Sequence, residues 1–150
     1  MTAVPLSIDE QIAAMKATWP QLVARRVDRR SQSARWMGPV RPQYSKYVLE
    51  IRYQLGAPPE VRVISPALIR MPSNPEGQLP HVYPPADDPT LCLFDPRENE
   101  WAPTMTIAST TVPWALDWLA CYELWLMTGR WTGGGRHADP CGPIARETTA

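Results

Sequence analysis

The chain has 150 residues, enough for one domain with a hydrophobic core, so we expect a single domain over residues 1–150 with a mobile tail from about residue 140. Lysine plus arginine and aspartate plus glutamate both number 15, so the chain lacks the positive excess with which proteins bind nucleic acid or anionic membranes. No apolar run approaches the length of a membrane span. We therefore expect neither nucleic acid nor a membrane among its partners.

The N-terminal residues and the cysteines both bear on the compartment. Polar residues such as Ser7, Asp9 and Glu10 interrupt the N-terminal segment, which is not the pattern of a secretion signal, so we expect a cytoplasmic protein. Three cysteines are an odd number and do not form a typical disulfide framework. Each cysteine is therefore predicted to be a core residue, a ligand or a nucleophile.

A helix is predicted over residues 7–19. Ser7 and Glu10 have the spacing of a capping box, and Pro20 cannot continue the helix. One apolar face is formed by residues at helical spacing: Ile8, Ile12, Met15 and Trp19. The following segment, 24–33, is rich in arginine and serine and is predicted to be a loop or an exposed edge segment.

Strand patterns follow this segment. Arg35–Pro42 contains Trp36 and Val40, and Tyr44–Leu55 alternates apolar and charged residues with a period of two. A Gly-Ala-Pro-Pro turn separates this second segment from a short apolar strand, Val61–Ile64. The pattern predicts an antiparallel meander of at least three strands.

Residues 71–90 are rich in proline and are predicted to form a long extended loop. Long ordered loops in compact domains are often functional. Cys92 follows this loop directly, between Leu91 and Leu93. This position makes Cys92 the first candidate for a reactive residue.

A second helix is predicted from about Thr111 to Thr128. Pro113 lies in its first turn, where a missing amide hydrogen costs little, and Gly129 suits the C-terminal cap. Apolar residues nearly surround the helix, so it should be buried or should cover a partner.

Several motifs of the chain resemble those of a known family. The stretches His81-Val82-Tyr83, Leu91-Cys92-Leu93 and Trp101-Ala102-Pro103 resemble the active-site region of ubiquitin-conjugating enzymes, which has a His-Pro-Asn motif, a cysteine and a Trp-Ser-Pro segment in that order. A closer resemblance is to the stand-alone bacterial relatives of antiphage CBASS operons, which accompany a cGAS-like nucleotidyltransferase. Further blocks that carry this resemblance are Trp36-Met37-Gly38, Val112-Pro113-Trp114, Tyr122-Glu123-Leu124-Trp125 and Thr128-Gly129-Arg130-Trp131.

The resemblance implies an α+β, ubiquitin-conjugating-like fold with an N-terminal helix, an antiparallel meander sheet, an active-site loop and a C-terminal helix. It implies that Cys92 is a nucleophile that carries the C-terminal acyl group of a partner protein, the cGAS-like nucleotidyltransferase, as a thioester. The group would pass to an amine of a target protein in antiphage defence. A separate activating enzyme would supply the activated donor, and no cofactor is expected.

The resemblance also suggests roles for two residues beside Cys92. His81 matches the family histidine, which holds the loop, and a role as a base for Cys92 is the alternative. Tyr83 falls where the family has its asparagine and is a candidate donor to an oxyanion, since a tyrosine hydroxyl can donate a hydrogen bond. The alternative for Tyr83 is a packing residue.

Other interpretations remain open at this point. Cys92 between two leucines also suits a buried core position, and the fold could serve as a non-catalytic protein-binding module. His81, Cys92, His137 and Cys141 could in principle bind zinc, although no tight ligand pair is present. The Trp114–Trp131 region could be core or the face of a homodimer.

Overall fold

A computed structural model describes residues 3–74, 78–94 and 100–131 of the chain. The fold is α+β, with an N-terminal helix, a four-stranded antiparallel sheet and a C-terminal helix, as predicted. The described elements in chain order are α1 Ile8–Thr18, β1 Val23–Asp28, β2 Ser33–Val40, β3 Tyr47–Gln54, β4 Glu60–Ser65, β5 Val82–Tyr83, β6 Thr90–Leu91, a 3₁₀ turn Ile107–Ser109 and α2 Thr111–Thr128.

Helix α1 begins with the capping box that the sequence predicts. The Ser7 side chain accepts a hydrogen bond from the Glu10 amide at 3.1 Å, and the Ser7 amide donates to the Glu10 carboxylate at 2.9 Å. Ile8 and Met15 are buried as predicted, and Gln11 is buried with them. The Gln11 side-chain amide donates to Met105 O and accepts from Ile107 N, so α1 is fixed to the segment before α2.

The meander is confirmed and has four strands in the order β1-β2-β3-β4. Most of the edge strand β1 lies in the segment 24–33, which was predicted to be a loop or an exposed edge, because polar residues suit a strand exposed on both faces. The inner face of the sheet is apolar and contributes to the core through Ala34, Trp36, Val40, Tyr47, Leu49, Ile51, Tyr53 and Val61. This set includes the alternating residues predicted for β3.

Gly38 lets β2 approach the chain beside it. A Cβ atom at this position would lie 2.0 Å from the backbone oxygen of Gln21, which is far closer than a carbon atom can approach. The absence of a side chain at Gly38 therefore allows the segment between α1 and β1 to pack against the sheet.

Helix α2 has the bounds that the sequence predicts. Gly129 adopts the left-handed conformation, with φ 75°, and its amide donates to Trp125 O at 2.8 Å. Most of the helix is buried, although Leu124 and Met127 are exposed. No helix in the described part of the chain is both long and apolar enough to cross a membrane.

Candidate active site

Cys92 lies at the end of a short hairpin inside the proline-rich loop. Strands β5 and β6 pair antiparallel, with Val82 opposite Leu91 and Tyr83 opposite Thr90. The Cys92 amide continues the ladder by donating to the His81 carbonyl at 3.0 Å. The sequence did not predict this hairpin, because each strand has only two residues and prolines surround both.

The hairpin brings Cys92 and Tyr83 together. The Cys92 sulfur lies 3.3 Å from the Tyr83 hydroxyl oxygen and 3.6 Å from the carbonyl oxygen of Phe94. Cys92 is 1% exposed, and Tyr83 is half-buried. A hydroxyl donor at this distance can stabilise negative charge on the sulfur or on an oxygen bonded to the carbon that the sulfur attacks.

The Cys92 sulfur takes part in a disulfide bond in the structure, and Cys121 is a buried cysteine of α2. The odd cysteine count led us to expect no disulfide framework, so the disulfide at Cys92 is a correction. A thioester requires the same sulfur as a thiolate. Reduction of this disulfide must therefore precede any acyl transfer through Cys92.

The described contacts of His81 include two hydrogen bonds to its backbone. Its carbonyl accepts from the Cys92 amide and from the indole nitrogen of Trp118, the latter at 2.9 Å. The backbone of His81 has φ 59°, a conformation that residues other than glycine seldom adopt. Its ring lies against Trp131, with the ring centroids 4.9 Å apart. These contacts are consistent with the predicted scaffold role, and the base role stays a prediction.

Trp118 is a site residue that the sequence did not identify. It is buried on α2, and its ring stacks on Tyr122 and contacts Trp131. The sequence places Trp118 on an apolar helical face, where a core residue is the simplest interpretation. Only the tertiary structure shows that its N–H group binds the carbonyl opposite Cys92.

Asp88, in the loop between β5 and β6, forms an ion pair with Arg62 on β4. Both guanidinium nitrogens involved, Nε and Nη2, donate to the Asp88 carboxylate. The hydrogen bond from Arg62 lowers the pKa of Asp88 below its ordinary value. The sheet and the hairpin bring the two side chains together although they are 26 positions apart in the sequence.

Several predicted features fall outside the described residues, namely His137, Cys141 and the tail from about residue 140. The zinc hypothesis involved two of these positions. Within residues 3–74, 78–94 and 100–131, no group of three or more His, Cys, Asp or Glu side chains is placed to hold a metal ion.

Comparison with protein families shows which family the chain is related to. A family described as the Type II CBASS E2 protein matches residues 11–138, which include the sheet, the hairpin and α2. The chain belongs to this family. Comparison with curated proteins finds no match.

The family membership confirms the resemblance to E2-like proteins of antiphage operons. As a Type II CBASS E2 protein, the chain has an E2-like role in CBASS. Cys92, Tyr83 and His81 all lie within the matched residues, as does Trp118.

Proposed function

We propose that this CBASS E2 protein is an acyl carrier that holds the C-terminal acyl group of a partner protein on Cys92 as a thioester. The observation that carries the proposal is the 3.3 Å approach of the Tyr83 hydroxyl to the Cys92 sulfur at the end of the hairpin. The donor is a cGAS-like nucleotidyltransferase, the protein that relatives of this type accompany. A target amine then receives the group.

The proposed acyl transfer takes place in two steps. The Cys92 thiolate attacks the carbonyl carbon of the activated donor, the carbonyl π electrons move to oxygen, and the activating group departs as the thioester forms. An amine of the target then attacks the same carbon, loses a proton and expels the thiolate. A separate activating enzyme prepares the donor, so the carrier itself mainly positions the reactants and stabilises the oxyanion.

Tyr83 is the candidate oxyanion donor in both steps. Its hydroxyl is close enough to the sulfur that a carbonyl oxygen on the attacked carbon would fall within its reach. Tyr83→Phe removes this donor and keeps the ring. Loss of one oxyanion donor costs about a hundredfold or more in rate in enzymes with a full oxyanion hole, so we expect slower thioester formation in this variant.

The burial of Cys92 favours a second candidate function, a non-catalytic protein-binding module on the same fold. At 1% exposure the sulfur is inaccessible to a protein C-terminus as the hairpin stands. Acyl transfer therefore requires a motion that exposes the sulfur when the donor binds. A binding module would need no such motion, so an experiment on the sulfur separates the two.

The experiment is a thioester trap on the reduced protein. The chain is treated with a phosphine, which reduces disulfides, and is then mixed with the nucleotidyltransferase and the activating enzyme. We expect an adduct that hydroxylamine cleaves and phosphine leaves intact, as a thioester behaves; a disulfide adduct would show the opposite behaviour.

Two variants give the controls. Cys92→Ala should form no adduct, and Cys92→Ser should trap a more stable oxyester. Cys121→Ala is the matched control, because it removes a buried cysteine of α2 and should leave the adduct unchanged. An adduct that persists in Cys92→Ala would refute the carrier proposal, and stable donor binding without any adduct would support the binding module.

A further inference from the structure

The six-residue loop 84–89 joins the two strands that hold the candidate site. One end of the loop follows Tyr83, and the other leads through Thr90 and Leu91 to Cys92. The loop is largely exposed, and its local hydrogen bond runs from the Asp88 amide to Pro85 O at 3.1 Å. A largely exposed surface loop would be expected to fluctuate and to carry Tyr83 with it.

The loop is attached to the main sheet through Arg62. This arginine lies on β4, its side chain is 18% exposed, and it donates through two nitrogens to the carboxylate of Asp88. Two hydrogen bonds from one guanidinium fix the orientation of the Asp88 carboxylate as well as its distance, whereas a single hydrogen bond fixes only the distance.

Arg62 is itself held in place by the sheet. Its Nη1 atom lies 3.2 Å from the carboxylate of Glu50 on β3, whose side chain is 5% exposed. Arg35 and Arg52 contact the same carboxylate at 3.4 and 3.1 Å. The guanidinium that reaches the loop is therefore anchored in a network on the outer face of the sheet.

We propose that the Arg62–Asp88 ion pair is a positioning device for the candidate active site: it holds the hairpin loop so that the Tyr83 hydroxyl stays beside the Cys92 sulfur. This inference rests on the proposed function for its catalytic meaning. Pro84, Pro85 and Pro89 stiffen the loop, because each proline ring fixes its own φ angle. A restraint at Asp88 is therefore transmitted along the loop to Tyr83.

The variant Asp88→Asn removes the charge of the exposed partner and leaves the core untouched. Asp87→Asn is the matched control, since Asp87 is the neighbouring acid, is exposed and forms no ion pair within the described residues. Asp88→Glu restores the charge and should rescue. All variants are made in the full chain and reduced before use.

The first readout is hydrogen exchange of the Cys92 amide, which donates a hydrogen bond to His81 O. This measurement does not depend on acyl transfer. We expect about two- to fivefold faster exchange in Asp88→Asn, wild-type exchange in Asp87→Asn and recovery in Asp88→Glu. High salt should speed exchange in the wild type more than in Asp88→Asn, because it screens an exposed pair. Equal exchange in the two asparagine variants would overturn the proposal.

The second readout is the rate of thioester formation, measured with and without Tyr83→Phe. If Asp88 acts through Tyr83, Asp88→Asn slows the reaction in the wild type and has little further effect in the Tyr83→Phe protein. Equal slowing in both backgrounds would refute positioning through Tyr83. If the wild type forms no thioester, the proposed function fails, and the exchange experiment still decides whether the ion pair holds the hairpin.

Discussion

The hydrogen bond from Trp118 to the His81 carbonyl allows a direct test of how α2 supports the Cys92 hairpin. Trp118→Phe keeps an aromatic ring and removes the N–H donor that lies 2.9 Å from His81 O. Trp125→Phe is the matched variant on the same helix, because the buried indole nitrogen of Trp125 has no hydrogen-bond partner in the described part of the chain. Both changes remove the same ring atoms.

The expected difference follows from these two environments. Trp118→Phe loses a hydrogen bond worth about 0.5–1.5 kcal/mol net, whereas Trp125→Phe removes an unsatisfied group that costs about 1–3 kcal/mol. The free energy of unfolding should therefore fall further in Trp118→Phe, by about 1.5–4.5 kcal/mol as the sum of the two terms. Burial alone would predict the opposite order, with the larger loss in Trp125→Phe, since Trp125 is 0% exposed and Trp118 is 5% exposed.

Urea unfolding followed by circular dichroism measures the difference, because fluorescence would change with the substituted tryptophans themselves. Hydrogen exchange of the Cys92 amide should also become faster in Trp118→Phe, because this amide and the Trp118 indole N–H donate to the same carbonyl, that of His81. It should stay unchanged in Trp125→Phe. A loss in Trp125→Phe as large as that in Trp118→Phe would refute the reasoning.

Three further predictions concern the frame that carries the site. Gly38→Ala should lower the free energy of unfolding by about 1–3 kcal/mol or more, because the new Cβ would meet backbone at 2.0 Å; wild-type stability in urea would contradict this. Glu50→Ala should lower it by about 1–3 kcal/mol, since three arginines lose their shared carboxylate, and an unchanged urea midpoint would count against the network. Burial, together with the hydrogen bond to Glu123, raises the pKa of Tyr47 above its ordinary value of 10.0. Tyr47 therefore ionises first in the unfolded chain, and the free energy of unfolding should keep its full value below pH 10.0 and fall above it. The slope should be at most about 1.4 kcal/mol per pH unit. Tyr47→Phe should flatten this alkaline decline, and an identical pH profile would contradict the assignment.

The larger elements were predictable because each has a local cause in the sequence. The capping box fixes the start of α1, Gly129 fixes the end of α2, and the alternation in β3 fixes which of its residues face the core. The burial of Gln11 was not predictable, because it depends on hydrogen bonds to the backbone of Met105 and Ile107, which are far away in the sequence. The ion pair between Arg62 and Asp88 depends on the same kind of long-range contact.

The candidate site shows why a motif can indicate a segment of the chain and still leave the roles of its residues open. The described hydrogen bonds of His81 are accepted by its backbone carbonyl, a group that every residue type has. Its backbone has φ 59°, a conformation that few residue types adopt. Neither property can be recognised in the letters His-Val-Tyr. Tyr83 differs, because its hydroxyl approaches Cys92 only when Val82 and Leu91 pair and set the register of the hairpin. The sequence could therefore name Tyr83 as a candidate, but the distance that supports it depends on a hairpin of two-residue strands held from outside by Trp118 and Arg62.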